Sequence, residues 1–579
     1  MNPVAHGTSI GPLGTHQSAV LGKCDAAVRR TLGELEQQRF VTRLWARDPT
    51  LWKSQDPALI RDRLGWLTVI EAMRGETSSL RSFADGVKKA GFTHALLLGM
   101  GGSSLCAEVL RLTFGISPGF LDLKVLDSTD PDAVLQMEES LPLSKTLFIV
   151  STKSGTTTET LALYEYFFEK VKALTGDGAG KQFIAITDGG SPLEKIARAK
   201  VFHSTFLNPS DIGGRYSALS YFGLVPAALA GVDTEKLLGR AKAMADACNS
   251  SVPIEKNPAL YLGAVLAALG QEGRDKITFI LSPGIASFGS WVEQLLAEST
   301  GKEGTGFIPV VDEPLGPPRV YGDDRLFVHI GLNSDQADGA KLKALEEAGH
   351  PVVKIVLRDI FDLGAEFFRW EIATAVAGAI LGINPFNEPN VQESKDNTKQ
   401  LLKEFLARGS FPRETALAQE GGATLYGDQK TSAKMKQPGD GLKGLLAAHL
   451  RQAQPNDYVA LLAYLHRSAK HDALLQEIRH RLRDKLRVAT TLGYGPRYLH
   501  STGQLHKGGP NTALILQIVD DPAEELPVPE TDYSFRSLIR AQALGDYEAL
   551  KQRGRRVLRV NLGGDVAGGL RRLGDALRG

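Results

Sequence analysis

With 579 residues, 42% of them hydrophobic and 23% charged, the chain is long enough for several globular domains. A net charge of +1 excludes a broad field for nucleic acid, and the densest basic run, residues 553–559, reads as a solvated helix end. Only Cys24, Cys106 and Cys248 occur, far apart and without a C-x-x-C, so free thiols in a reducing cytoplasm are expected.

The first residues lack a basic segment followed by an apolar core, so no signal peptide is expected. The longest apolar run, residues 372–383, is too short to cross a bilayer, and no membrane partner is expected. Residues 1–90 read as a helical layer with Phe40, Leu44, Trp52, Ile60, Leu64, Trp66 and Ile70 on apolar faces. From Thr93 strands and helices alternate. Strands are expected over 93–98, 123–126, 146–150, 182–187 and 201–206. Helices are expected from Leu105 and over 161–174, 191–200 and 216–229. Ser191, Pro192 and Glu194 form a capping-box signature. This order predicts a mostly parallel sheet with helices on both faces, over residues 91–250.

A second unit, 251–408, repeats the pattern, with strands over 276–281, 307–311, 326–332 and 352–357. Its helices are expected through 291–298 and over 341–348, 366–381 and 390–406. Two such halves imply a cleft at the C-terminal ends of their strands. Residues 409–445, rich in Gly and Lys, read as a connector. A third α/β block, 446–579, has strands expected over 458–465, 488–492, 514–519 and 557–562, and a helix over 470–486. His466, His471 and His480 have no ligand spacing and read as surface residues.

The most informative stretch is 151–160, S-T-K-S-G-T-T-T-E-T, between a buried strand and a helix. The first amides of that helix lack intrahelical acceptors, and the dipole's positive end faces outward. Hydroxyls of Thr152, Ser154, Thr156 and Thr157 and the charge of Lys153 add to this socket for a small dianion. No nucleotide P-loop is present. The turn at 99–104, G-M-G-G-S-S, is close to a dinucleotide fingerprint, with Ser104 in place of the third glycine and Asp127 closing the next strand. Arg215 follows Gly213 and Gly214 at a helix start, where a guanidinium can stabilise developing negative charge. Glu298 ends an apolar helix before Gly301, and the dipole there raises the pKa of a carboxyl, as suits a general base. Lys395 falls early in the helix after 384–389, and His500 and His506 lie in a Gly-rich loop. No metal motif is present, and no cofactor is implied.

Taken in order, GMGGSS (99–104), STKSGTTTET (151–160), GGRYS (213–217) and ESTGK (298–302) resemble the glucose-6-phosphate isomerase family. The resemblance covers roughly residues 40–406 plus the His500 loop. It implies an α/β fold of two sugar-isomerase α/β/α domains with parallel sheets, here followed by a C-terminal α/β domain. It implies that Ser103, Thr152, Lys153, Ser154 and Thr157 hold a sugar phosphate, with Gly102, Glu159, Gly214 and Glu388 also at the substrate. It implies Glu298 as the base moving a proton between C1 and C2, and Arg215 beside the cis-enediolate. Lys395 and a His would assist ring opening. In the family's F-x-Q-x-x-V-E-x-x-K run, Glu388 and Gln392 stand here in place of Gln and Glu. The family's H-x-x-x-Q element lies between base and Lys; its match here, His500 to Gln504, follows Lys395. The tail resembles the C-terminal part of transaldolase–isomerase fusions and would supply this His from a permuted position. The family is typically dimeric, with the His crossing the interface, so a homodimer is an expectation.

Three rivals stay open on the residues alone. Another hexose-phosphate or amino-sugar-phosphate isomerase would share the socket and the Glu. A non-catalytic sugar-phosphate binder would keep the socket and need neither Glu298, Lys395 nor His500. A nicotinamide oxidoreductase would use the 99–104 turn.

Overall fold

The computed structural model describes residues 16–53, 57–335, 337–427 and 441–577. Among them, three sheets share one strand order. The first holds β2 (His94–Gly99), β3 (Asp122–Leu126), β4 (Thr146–Ser151), β5 (Phe183–Asp188) and β6 (Ser204–Asn208), ordered β3-β2-β4-β5-β6 and all parallel. The second holds β7 (Lys276–Leu281), β8 (Ile308–Val310), β9 (Arg325–Leu332) and β10 (Val352–Leu357), ordered β8-β7-β9-β10 and parallel. Its fifth strand is β1 (His16–Val20), antiparallel to β10. The third is β14-β13-β15-β16, from β13 (Tyr458–Tyr464), β14 (Ala489–Tyr494), β15 (Ala513–Val519) and β16 (Arg556–Asn561). An antiparallel hairpin, β11 (Ala416–Glu420) and β12 (Ala423–Tyr426), extends its β16 edge.

Each sheet thus follows the doubly wound order 2-1-3-4, whose ligand crevice lies at the carboxyl ends of the strands, where the direction of winding reverses. The central strands are continuous apolar runs because helices cover both faces. Ala95–Leu98, Leu147–Val150 and Val459–Ala463 are fully buried. Six helices matter below: α1 (Leu105–Phe114), α2 (Thr158–Thr175), α3 (Phe288–Thr300), α4 (Pro389–Arg408), α5 (Ala469–Leu486) and α6 (Phe535–Gln552).

Several sequence expectations need correction. Residues 16–20, expected within a helical layer, form the edge strand β1; the segment H-Q-S-A-V has no apolar alternation to announce it. It is held by tertiary bonds, as Gln17 donates to the Pro258 carbonyl at 3.3 Å and accepts from Arg369. The expected connector contains the β11–β12 hairpin, while residues 428–440 lie outside the described residues. The strand expected over 201–206 is shifted to 204–208, because Val201 sits in a turn at φ 54°. The helix expected from Tyr216 begins at Tyr221, where Ser220 is its N-cap and accepts from the Phe222 amide. At 191, Ser191 accepts from the Glu194 amide, but the Glu194 carboxylate turns to the Gly190 amide, so only half of the capping box forms. The basic run at 553–559 is no solvated helix end. Arg555 donates to the carbonyls of Lys507 and Gly509, Arg556 pairs with Asp457 at 2.8 Å, and Arg559 faces Glu414 at 3.7 Å. His466 is not a free surface group either: it is half-buried beside Asp130, 3.6 Å away, which raises its pKa.

Candidate active site

The first sheet sets the site's floor. Gly99 on β2 pairs in register with Ser151 on β4, so their two loops leave the sheet side by side. Ser151 Oγ donates to the Ser103 carbonyl at 2.7 Å and ties the loops together. Gly102 lies against Gly214: a Cβ added at Gly102 would come within 2.2 Å of the Gly214 carbonyl, so only glycine lets the Arg215 turn approach. In the hydroxyl-rich loop, Thr152 and Thr157 are hydrogen-bonded at 2.8 Å, and Ser154 and Thr156 at 2.9 Å. Thr157, the residue before α2, gives no side-chain cap to the helix's first amides. Lys153 is not directed freely into this socket. It is ion-paired with Asp188 and donates to the Ser210 carbonyl at 2.8 Å. Burial raises the Asp188 pKa, against the pull of Lys153.

Arg215 is the centre of the arrangement. It is buried, with 2% of its surface exposed. Nη1 donates to Glu298 Oε1 and to Glu388 Oε2, each at 3.0 Å. Nη2 donates to the carbonyls of Pro385 at 2.7 Å and Asn387 at 3.0 Å, and Nε to Ser299 Oγ at 2.8 Å. Every arm of the guanidinium is fixed, as a preorganised charge requires. Burial raises the Glu298 pKa, Arg215 opposes this, and Glu388 adds to it. The helix dipole invoked from sequence is not the main cause; removal from water is. Burial acts the same way on Glu388, but there Arg215 prevails and the pKa falls. The two carboxylates therefore titrate as a pair around one cation. Lys302 is buried beneath them and donates to the Asn384 carbonyl at 2.8 Å and Asn387 Oδ1 at 3.0 Å. It thereby holds the same loop whose carbonyls hold Arg215. Burial lowers its pKa well below the ordinary value.

The third block reaches into this centre. Gln294, one turn before Glu298 on α3, donates to Glu298 Oε2 at 2.9 Å and to the His500 carbonyl at 2.7 Å. Gly101 has φ 54°, and an added Cβ there would stand 2.6 Å from the same carbonyl oxygen. The His500 ring bonds through Nε2 to Glu159 Oε1 at 2.8 Å. Burial of the Glu159 carboxyl is outweighed by His500, and its pKa falls. Gln542 on α6 donates to the same Glu159 oxygen at 2.7 Å, and Thr129 donates to Gln542 Oε1 at 2.7 Å, which fixes the amide's orientation. Gln504 donates to the Gly301 carbonyl at 2.9 Å and accepts from the Asn390 amide at 2.8 Å, clamping the end of α3 to the start of α4. Lys395 on α4 lines one small cavity with Glu159, His500 and Gln542.

The structure therefore links Arg215, Glu298 and Glu388 directly, and His500 with Glu159 and Lys395 in an adjoining pocket. Gln294 joins the two groups. Asp127, which a dinucleotide reading would place on a ribose, instead accepts from Ser104 Oγ at 3.3 Å and pairs with Arg497 at 3.2 Å. Sequence reading missed Gln294, Lys302 and Gln542. Gln294 was findable, since it lies four residues before Glu298 and so on the same helix face. Nothing in the local pattern marks Gln542.

A family model described as phosphoglucose isomerase matches residues 67–317. A probable glucose-6-phosphate isomerase of Methanococcus maripaludis is 32% identical over 356 residues, covering 54% of this chain and 79% of that protein. The glucose-6-phosphate isomerase of Methanocaldococcus jannaschii is 28% identical over 350 residues, covering 54% of this chain and 85% of that protein. Among solved structures, a glucose-6-phosphate isomerase from Chlamydia trachomatis has a TM-score of 0.56 at 20% identity, over 69% of this chain and 90% of that one. A hypothetical protein from Thermus thermophilus has a TM-score of 0.56 at 24% identity, over 66% and 98%. These structural likenesses concern the fold.

Proposed function

Because the chain belongs to the phosphoglucose isomerase family, we propose that it interconverts glucose 6-phosphate and fructose 6-phosphate through a cis-enediolate, with Glu298 as the base. The observation that carries the reading is the buried Glu298 carboxyl 3.0 Å from Arg215, with Gln294 on its other oxygen. Buried in this way, the carboxyl is a stronger proton acceptor than one in water.

The open-chain aldose has its C2–H between the C1 carbonyl and the C2 hydroxyl. Glu298 takes that proton, and the electron pair moves into the C1–C2 bond and onto O1. The enediolate charge lies beside Arg215, whose geometry is set before substrate arrives. The hydroxyl proton moves from O2 to O1, and Glu298 returns its proton to C1, giving the ketose. Before this step, His500 and Lys395 open the sugar ring by proton transfer at the ring oxygen and the anomeric hydroxyl. Glu159 orients the imidazole. The hydroxyls of Ser103, Thr152, Ser154 and Thr157 and the free amides of α2 anchor the phosphate. Lys153, paired to Asp188, adds field rather than a direct bond, and Gly102 and Gly214 let the chain approach the sugar. Glu388 competes with Glu298 for Arg215 and tunes the base.

His500 reaches Glu159 of its own chain, so we take the site to be complete in one subunit, whether or not the protein is a homodimer. No helix among the described residues is long and apolar enough to cross a membrane, and the three cysteines are buried and free. A cytoplasmic setting suits this. The test is direct: fructose 6-phosphate formed from glucose 6-phosphate, assayed beside glucosamine 6-phosphate. Turnover of the amino sugar alone would move the assignment to another isomerase of the same fold.

A further inference from the structure

A second cavity, about 560 Å³ in volume, lies where the first, second and third blocks meet. It is of the size that small organic ligands occupy. Its floor is the carboxyl ends of three strands: Pro283 and Gly284 after β7, Val311 and Asp312 after β8, and Tyr494 at the end of β14. Its walls are single faces of α1, α3 and α5. None of the residues assigned to the isomerase reaction lines it.

Two groups in its wall have bonding capacity left over. Arg479 is 2% exposed; it makes no ion pair within 4.0 Å among the described residues and stands in the field of Glu313, Asp312 and Glu293. Its Nε and Nη2 both donate to the Thr490 carbonyl, at 3.0 and 2.6 Å, and Nη1 makes no hydrogen bond among the described residues. Glu293, half-buried, likewise has no side-chain hydrogen bond among them, and removal from water together with Asp312 pushes its carboxyl up to about 8 against the pull of Arg479 and Arg497. The unused Nη1 of Arg479 and the Glu293 carboxyl face one space, and each calls for a hydrogen-bond partner. Arg497, held on one side by Asp127, adds a further cation, and Leu105, Leu112 and Leu492 supply an apolar wall.

We propose that this cavity is a ligand site for a small hydroxylated organic anion, a carboxylate or phosphate on a short carbon chain, and that its occupant is felt at the active site. The anion meets Arg479 and Arg497, and a hydroxyl bonds to the Glu293 carboxyl. Two shared elements carry the coupling. Glu293 precedes Gln294 on α3, whose amide holds both Glu298 and the His500 carbonyl. Arg497 and Ser501 line the cavity from the same loop whose His500 bonds Glu159.

The probe is 3-phosphoglycerate, titrated calorimetrically into the full-length protein kept saturated with equilibrated glucose 6-phosphate and fructose 6-phosphate. The expected result is one-site binding that persists under substrate and weakens at least tenfold in Arg479→Met. Arg479 is buried, so Ala473→Trp provides a second variant. Ala473 is exposed on α5 at the cavity rim, and the indole fills the space. Ala473→Trp should lose the binding and keep the basal turnover, and the probe should shift kcat at least twofold in the wild type only. No binding at about 10 mM, binding abolished by substrate, or undiminished binding in Ala473→Trp each overturns the site. Binding without any change in kcat overturns the coupling.

Discussion

Glu298→Gln is expected to leave the fold intact while removing most of the turnover. In the wild type Oε1 accepts from Arg215 at 3.0 Å and Oε2 from Gln294 at 2.9 Å. Glutamine has the same shape and loses the charge. Arg215 is not stranded, because Glu388 remains at 3.0 Å and the carbonyls of Pro385 and Asn387 still accept. The penalty of about 3–5 kcal/mol for orphaning a buried charge is therefore avoided. One charge-assisted hydrogen bond is lost, worth about 1.5–3 kcal/mol, but relief of desolvation and of repulsion with Glu388 offsets much of it. Stability should change by less than about 2 kcal/mol on this reckoning. Catalysis is different, since the proposed mechanism gives the C2 proton no other acceptor. A general base contributes about 10²–10⁴-fold, or roughly 2.7–5.4 kcal/mol of barrier. The same carboxyl serves both directions, so kcat should fall equally from glucose 6-phosphate and from fructose 6-phosphate. Coupled assays in each direction, with urea unfolding as the control, measure this. A variant with kcat within about threefold of wild type would falsify the base assignment.

Arg215→Met strands the buried Glu298, and urea unfolding should show a loss of about 3–5 kcal/mol; an unchanged midpoint would mean that its carboxylate is solvated. Gln542→Leu removes the bond that orients Glu159, and should slow turnover of cyclic fructose 6-phosphate about tenfold while sparing an open-chain analogue. Equal loss on both substrates would place Gln542 outside ring opening. Glu293 has its folded pKa raised from the usual 4.5 to about 8, so its contribution to stability is full below 4.5 and is lost progressively as pH rises to about 8. Glu293→Gln should therefore gain thermal stability relative to wild type across that window, with parallel curves above it; parallel curves throughout would show an ordinary carboxylate. Mixing Glu298→Gln with His500→Ala protein, with unfolding and refolding together, should restore no activity if each site is built from one chain. Recovery toward about a quarter of wild-type activity would mean that His500 serves a neighbouring subunit.

The parallel sheets are legible because their strands are apolar runs between turn signals, and β7 and β10 fall on the residues the pattern marks. The strand β1 is not, because its five residues are placed by Arg369, Pro258 and β10 rather than by their own pattern. The hydroxyl loop after β4 and the Arg215 turn announce themselves by residue type. Their actual partners do not: Lys153 reads as a free cation until Asp188, 35 residues on, is seen against it. A raised pKa for Glu298 follows from its helix end in the sequence, whereas in the structure burial and Glu388 cause it. His500 can be matched to a motif, but only the fold shows its ring against Glu159, 341 residues earlier in the chain. Long-range partners of this kind leave no local signature.

The most direct measurement follows the hydrogen on C2. Glucose 6-phosphate carrying deuterium at C2 is converted by the wild-type protein in ordinary water, and the label is located by NMR in product and solvent. A proton carried on the Glu298 carboxyl exchanges in part with water, so some deuterium should leave the sugar, and Glu298→Gln should release none. Quantitative transfer of the label to C1 of fructose 6-phosphate, with none in water and with turnover persisting in Glu298→Gln, would mean a direct hydride shift and would contradict a carboxylate base.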